Sequence, residues 1–239
     1  MKFTHLDWDS NFFGKRISRI DMEPEDSETV IMNEISSHPN TDLFYIFNLS
    51  NQPLELLPKD SKCKLVDIKM VYRLTVNDPD GNPQNNYAEI KIEDYPLSYT
   101  SVELENLAYQ SGVYSRFRTD ASFPAHSFYK LYKEWIDSCV SGRLADRVYI
   151  STSNRQTIGM VTVKFNELEA RIGLIAVHEK FRGKHVGHQL LRHVTKESQL
   201  RNILHIIVST QQQNEPACKL YERNGFVTHQ VTQIYHYWR

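Results

Sequence analysis

The sequence predicts an α/β fold, and two observations carry most of that prediction. The apolar runs ARIGLIAV (170–177) and ILHIIVS (203–209) each lead through a polar turn into a helix-forming segment, HQLLRHV and EPACKLYERNG. Buried strands that alternate with helices require a mixed central sheet with helices on its faces. A third observation is NDPDGNPQNN (77–86), which has no apolar residue and is dense in Asn, Asp, Pro and Gly. It reads as a linker. The chain then divides into 1–76, the linker 77–86, and 87–239.

Taken in order, DLFYIFNLS and KLVDIKMVYRLTV read as strands from their β-branched and aromatic content. After the linker, YAEIKIEDY (87–95) alternates as a strand does. SVELENLAYQSG spaces Val102, Leu104, Leu107 and Ala108 as a helix, ending at Gly112. SFYKLYKEWIDSCVSG is a stronger helix, with Phe128, Leu131, Tyr132, Trp135, Ile136 and Cys139 in one stripe. RVYISTS and TIGMVTVKF are strands around a turn at Asn154–Gln156. ARIGLIAV, nearly continuous in apolar residues, reads as a strand buried on both faces. Pro216 and Gly225 bracket the last helix in the usual asymmetry, and FVTHQVTQIYHYW supplies the final strand or pair.

Composition narrows the function classes. With 28 basic and 29 acidic residues the chain has a formal net charge of −1, so no general attraction draws it to nucleic acid or an anionic membrane. Any polyanion must be met by a few placed donors. The three cysteines show no metal-ligand spacing and suit a reducing compartment. No apolar run is long enough for a membrane span, and the start MKFTHLDWDS has no secretory pattern. A soluble cytoplasmic protein without a metal is the expectation.

The segment FRGKHVGHQLL is where a placed anion site would stand. Arg182, Gly183, Lys184, His185, Val186 and Gly187 lie between a strand and a helix whose N-terminus carries unsatisfied N–H groups and partial positive charge. The same residues also make an ordinary capped turn. With NEPACKLYERNGF behind it, the segment resembles the GNAT superfamily of N-acetyltransferases. That superfamily has the loop pattern Arg/Gln-x-x-Gly-x-Gly/Ala, followed by Asn-x-x-Ala-x-x-x-Tyr and Gly-Phe. The resemblance covers roughly 150–237. His185 replaces the middle glycine, and His is among the non-glycine residues most tolerant of positive φ.

The resemblance implies the GNAT fold and acyl-CoA as co-substrate, with no metal. Arg182 to Gly187 would hold the pyrophosphate, with His188 one turn beyond. Leu174, Ile175, Ala176 and Val177 would offer backbone groups to pantetheine, and Asn214 would bond the same arm or cap its helix. Tyr221 would protonate the departing thiolate after an amine attacks the thioester. No general base stands out among His178, Asp120, His126 and His205. Cys218 and Lys219 read as packing and surface.

Shorter motifs narrow the resemblance. LDWDSNFFG and YSRFRTDASFP, followed by FYKLYKEWI, are similar to the dTDP-fucosamine N-acetyltransferase branch. That branch acylates a dTDP-linked amino-deoxyhexose and carries an N-terminal part like a truncated copy of the fold. The resemblance implies a homodimer and an acceptor site that includes Arg116, Phe117, Arg118 and Asp120. Guanidinium matches pyrophosphate geometry, and Phe117 or Phe123 would stack on thymine. A loop packed by its own aromatics explains the same residues, and Trp8, Phe12 and Phe13 explain themselves as core. Two other readings stand beside this one: a GNAT enzyme with a protein, peptide or small-amine acceptor, and an acyl-CoA-binding module without catalysis.

Overall fold

The computed structural model describes residues 1–50, 52–55, 62–76, 90–96 and 99–239. In chain order the elements begin β1 (Lys2–His5), α1 (Asp7–Phe13), β2 (Ile17–Met22), α2 (Glu28–Ser37), β3 (Leu43–Asn48) and β4 (Cys63–Thr75). They continue β5 (Ile92–Asp94), α3 (Val102–Ser111), α4 (Arg116–Thr119), α5 (Ala125–Val140), β6 (Arg147–Ser153), β7 (Gln156–Phe165) and β8 (Glu169–Val177). A 3-10 turn (Glu179–Phe181) precedes α6 (Val186–Leu200), β9 (His205–Gln211), α7 (Glu215–Arg223) and β10 (Val227–Trp238). The expected linker lies outside the described residues, as does the first part of the strand expected at 87–95. Among the described residues no helix is long and apolar enough to cross a membrane.

The chain forms two compact units. The first comprises Met1–Met70, Gln211–Gln213 and Gln230–Arg239. In it β2 and β3 run parallel, from Ile17↔Leu43 to Met22↔Asn48, with β1 antiparallel to β2. Parallel neighbours need a crossover, and α2 supplies it. Its Ile31 and Ile35 are buried against Ile20, Met22, Phe44, Ile46, Tyr235 and Tyr237. The last two arrive on β10, whose distal half pairs antiparallel with β3 from Gln233↔Asn48 to Trp238↔Leu43. That pairing returns the end of the chain to its beginning. Arg239 completes it by donating to the carbonyls of Ile35 and His38, both at 2.6 Å, at the C-terminal end of α2.

The second unit comprises Val71–Thr210 and Asn214–His229. Its strands lie in the order β9-β8-β7-β6-β5, antiparallel except for the parallel pair β8 and β9. Helices cover both faces. A Cβ on Gly159 of β7 would meet Val186 and Leu190 of α6, at 2.9 and 3.2 Å. On the other face, a Cβ on Gly173 would lie 3.8 Å from the indole nitrogen of Trp135 on α5. Gly112 ends α3 as expected, but at φ −103 its role is steric: a Cβ there would lie 2.1 Å from the Tyr132 ring.

Two expectations need correction, and the first is Trp8, read as core but 55 % exposed on α1, which buries no residue. The second is β8, where burial is interrupted: Ala170, Ile172, Leu174 and Ala176 are buried, while Arg171 and Gly173 are exposed. The apolar run misled because glycine counted as core, and here it leaves an opening.

Candidate functional site

The site starts from a defect in β8. Val163 faces Ile172, but Val161 faces Ile175, so two steps on β7 span three on β8. The extra residue makes a β-bulge at Gly173–Leu174, opposite Thr162. The Thr162 hydroxyl takes up the displaced Leu174 N–H at 2.8 Å. It also bonds the buried Cys139, whose thiol burial pushes up to about 11 against that bond. A Cβ at residue 173 would sit 2.9 Å from this hydroxyl, so the bulge excludes a side chain there.

A bulge bends its strand and increases the local twist, and β8 departs from β9 at this point. Their pairing runs from Glu169↔His205 to Ile172↔Val208, yet β8 continues to Val177 and β9 to Gln211. The orientation of the next backbone groups follows from strand alternation. His178 N–H donates to Ile158 on β7 at 2.8 Å, so Leu174 and Ala176 also point their N–H groups toward β7. Ile175 and Val177 therefore turn theirs toward the side that β9 has left. Of the four residues expected to offer backbone groups, these two face the gap.

The loop after β8 is shaped by local bonds. The His178 ring accepts from Lys180 N–H at 3.3 Å and caps the 3-10 turn. Arg182 donates through Nε to the Val177 carbonyl at 3.1 Å and through its guanidinium to Gln110 at 3.2 Å. Its side chain thereby fastens the loop to β8 and α3. Gly183 takes φ +74 and His185 takes φ +60, both left-handed. His185 is the N-cap of α6 and makes no side-chain capping bond. Gly187 is buried, and a Cβ there would approach Leu220 of α7 to 3.1 Å. His188 is half-buried and its pKa is lowered by that burial, partly offset by a bond to Asn224.

On α7, Asn214 is the N-cap: its carbonyl side chain accepts from Ala217 N–H at 3.3 Å and its amide donates to Thr210 at 3.2 Å. Tyr221 is 2 % exposed and its phenol is held above the ordinary range by burial first, then by Cys218 and Tyr72. The Tyr72 and Phe226 rings lie 5.6 and 5.8 Å away. Tyr72 itself donates to Glu222 at 3.0 Å and bonds Cys218. Cys218, expected as simple packing, thus belongs to the polar surroundings of Tyr221.

The residues considered for the acceptor form α4 and the turn after it. The Arg116 and Arg118 guanidinium groups lie over the Phe117 and Phe128 rings at 4.4 and 5.2 Å. Phe117 meets Phe123 edge-on at 5.5 Å. Phe123 is buried, as is Asp120, which accepts from Ser122 N–H at 3.0 Å. Of the four, Phe117 and the two arginines retain surface. His126 is exposed at the start of α5, and His205 pairs with Glu169 at the far end of the ladder from the gap. Sequence reasoning missed Thr162, Gly173 and Tyr72. A hydroxyl among apolar neighbours in the middle of TIGMVTVKF was the available sign for the first; the other two carried none.

Residues 111–226 match the Acetyltransferase (GNAT) family model. With the mixed sheet, the bulged strand and the loop before α6, this makes residues 111–226 a GNAT acetyltransferase domain. The chain is also 28% identical over 132 residues to the spore coat polysaccharide biosynthesis protein SpsD of Bacillus subtilis (strain 168). That match covers 55% of this chain and 45% of the relative, so it spans less than half of that protein's length. Among solved structures, a GCN5-related N-acetyltransferase from Sphaerobacter thermophilus is similar at TM-score 0.62 and 14% identity, over 98% of this chain and 75% of that one. A conserved protein of unknown function from Staphylococcus epidermidis ATCC 12228 follows at 0.59 and 16%, over 93% and 82%. These likenesses are of fold.

Proposed function

We propose that the chain is a CoA-dependent N-acyltransferase acting on the amine of a dTDP-linked amino-dideoxyhexose. The acyl group is acetyl or a short hydroxyacyl such as 3-hydroxybutyryl. The observation that carries this reading is the parting of β8 from β9 at the bulge, directly before a loop that runs into the N-terminus of α6. An extended, amide-bearing arm ending in pyrophosphate fits that sequence of donors and acceptors. Similarity to a protein of spore coat polysaccharide biosynthesis supports a sugar acceptor for surface polysaccharide. The short motifs of the first 124 residues supply the dTDP-amino sugar. On the same resemblance residues 1–76 are a truncated GNAT-like domain, and the protein is a cytoplasmic homodimer.

Bound acyl-CoA would supply an activated carbonyl carbon and a thiolate leaving group. The residues around it have separate tasks. Ile175 directs its N–H and C=O at the arm and Val177 its N–H, the Val177 carbonyl being held by Arg182, and an N–H there is placed to meet developing negative charge on a carbonyl oxygen. Arg182 keeps the loop in register with β8. Lys184 and the N–H groups from Gly183 to His188 meet the pyrophosphate. Asn214 holds the start of α7, which carries Tyr221, the proposed proton donor to sulfur. Phenol-to-thiolate transfer is uphill by about 2 kcal/mol on ordinary pKa values, so the proton moves as the C–S bond breaks. No side chain is assigned as base: a sugar amine resembles an α-amino group, with pKa about 8, and is partly neutral at pH 7.

The test is release of free thiol from acetyl-CoA or 3-hydroxybutyryl-CoA in the presence of a panel of dTDP-amino-deoxyhexoses. Release that depends on the sugar amine supports the proposal and identifies both substrates. Silence with every sugar, alongside turnover with a peptide or polyamine, would move the acceptor to another class. Silence with all amines despite CoA binding would leave a binding module.

A further inference from the structure

Within the second unit is a cavity of about 300 Å³ to which the mechanism gives no role. It stands at the lower end of the ~300–1,000 Å³ of small-molecule sites. Its walls come from α3, the start of β7 and His178; among the described residues, β9, α6 and α7 contribute none. Glu103, Asn106 and Gln110 recur every three or four residues, so they share one face of α3, while Leu104, Leu107 and Ala108 are buried on another. Gln156 and Thr157 close the cavity from β7, and Tyr109 adds ring surface. A carboxylate, amides, a hydroxyl and an imidazole thus surround one space.

Two of these residues also hold the loop before α6, and each has a donor left over. Arg182 can only donate, so its 3.2 Å bond to Gln110 takes the amide oxygen and leaves the amide NH2. Lys180 N–H donates to His178 Nδ1 at 3.3 Å, so the neutral ring carries its proton on Nε2. A ligand that accepts from both donors fixes the two side chains in the conformations that hold Arg182 and Lys180. The charge around the cavity selects against ions. Glu103 opposes an anion, and the Arg182 guanidinium behind Gln110 opposes a cation. A neutral ring bearing several hydroxyl groups suits what remains. Each hydroxyl can donate to Glu103 or an amide oxygen and accept from an amide N–H or from His178.

We propose that the cavity is a second ligand site, for a neutral sugar ring, and that its occupation steadies the loop before α6. The link to CoA rests on the acyl-CoA reading of that loop; sugar binding itself does not. A ligand that has already ordered the loop spares CoA that cost, so each tightens the binding of the other.

Saturation-transfer NMR on the full chain tests the site without catalysis, with methyl glucoside, methyl galactoside and N-acetylglucosamine as probes. At least one of these is expected to bind at millimolar concentration, and putrescine and inorganic phosphate are not. Asn106→Leu and Gln156→Leu, both at exposed positions, should each weaken the sugar about fivefold, the scale of one hydrogen bond. Calorimetric titration of CoA should show about fivefold tighter binding when the sugar is saturating. Gln110→Met keeps the side-chain length and should remove that tightening. Exchange of the Lys180 amide, a readout that needs no CoA, should slow when the sugar binds.

Binding of putrescine that Glu103→Gln removes would make the cavity a cation site and overturn the proposal. Silence from every sugar would overturn it too. Displacement of the bound sugar by a dTDP-amino-deoxyhexose would give the cavity to the acceptor, and no second site would stand. Unchanged CoA affinity and unchanged Lys180 exchange with the sugar bound would overturn the link to the loop. Failure of CoA to bind, beside slowed Lys180 exchange, would support the site and defeat the acyl-CoA reading alone.

Discussion

The Tyr221 phenol is placed where it keeps its proton. Burial, Cys218 and Tyr72 all push its pKa upward, so through neutral pH it remains an acid. The acceptor amine, with pKa about 8, must be neutral to attack. The proposed enzyme should therefore show kcat/KM rising with pH to about 8 and then level to pH 10. A descending limb near pH 9 would exclude Tyr221 as the donor. Tyr221→Phe should lower kcat by about 10²–10⁴ with CoA affinity retained, the usual range for loss of a general acid. His185 gives a backbone prediction. At φ +60 it occupies a region that glycine enters freely and proline cannot. His185→Gly should leave CoA affinity within about threefold, since relief of ~1 kcal/mol of left-handed strain roughly offsets the added chain entropy. His185→Pro should abolish binding in the same titration. Asp42 gives an acid-stability prediction. The Arg16 side chain and N–H hold its pKa at about 2, below the usual 3.8. A depressed carboxylate contributes stability above its unfolded pKa and loses it as pH falls through the folded one. Arg16→Gln should raise the acid midpoint of unfolding, read by circular dichroism between pH 4 and 2.

At the level of elements, the bulge and its hydroxyl clamp decide where the sheet opens. Thr162→Val keeps the shape and deletes the acceptor of Leu174 N–H, leaving a buried donor unpaired at a cost of about 1–3 kcal/mol. Denaturant midpoints would show that loss, and exchange at Leu174 should quicken. If stability is unchanged, the bulge holds without Thr162. The comparison of sequence with structure is clearest here. Strands β3, β4 and β6 to β9 and helices α3, α5, α6 and α7 were legible because each has a clean period or an end signal such as Gly225 at φ +82. The loop at Arg182–Gly187 and the Tyr221 helix were legible as motifs. The bulge was not, because it is a mismatch of register between two strands and neither strand shows it alone. Segments α1, α2, β1 and β2 went unread. Their short apolar spacings give weak periodicity, and α2 is ordered by packing on Phe44 and Tyr237 more than by its own propensity. The opening at Gly173 was hidden for a related reason, since a glycine within the apolar run ARIGLIAV reads as part of a buried strand.

Across the whole molecule, the residues that complete the first unit come from the end of the sequence given. Ile234, Tyr235 and Tyr237 are buried there, each contributing about 1.5–3 kcal/mol of apolar burial. Removing residues 233–239 should strip β3 of its antiparallel partner and α2 of the Arg239 bonds. Exchange protection at residues 43–48 should collapse, while amides of β7 and β8 keep theirs. Protection lost equally in both units would show that they unfold together. The pairing of Asn48 with Gln233 spans 185 residues. A ribosome working at ~5–20 residues per second needs ~10–40 s to cover that distance. Through that interval β3, six residues all buried in the finished fold, has been made but has no partner on one edge. An apolar edge held open for that long is a template for other chains. Yield in a cell should therefore depend on how fast translation runs after β3 and on the chaperones that meet it, more than on the stability of the finished protein.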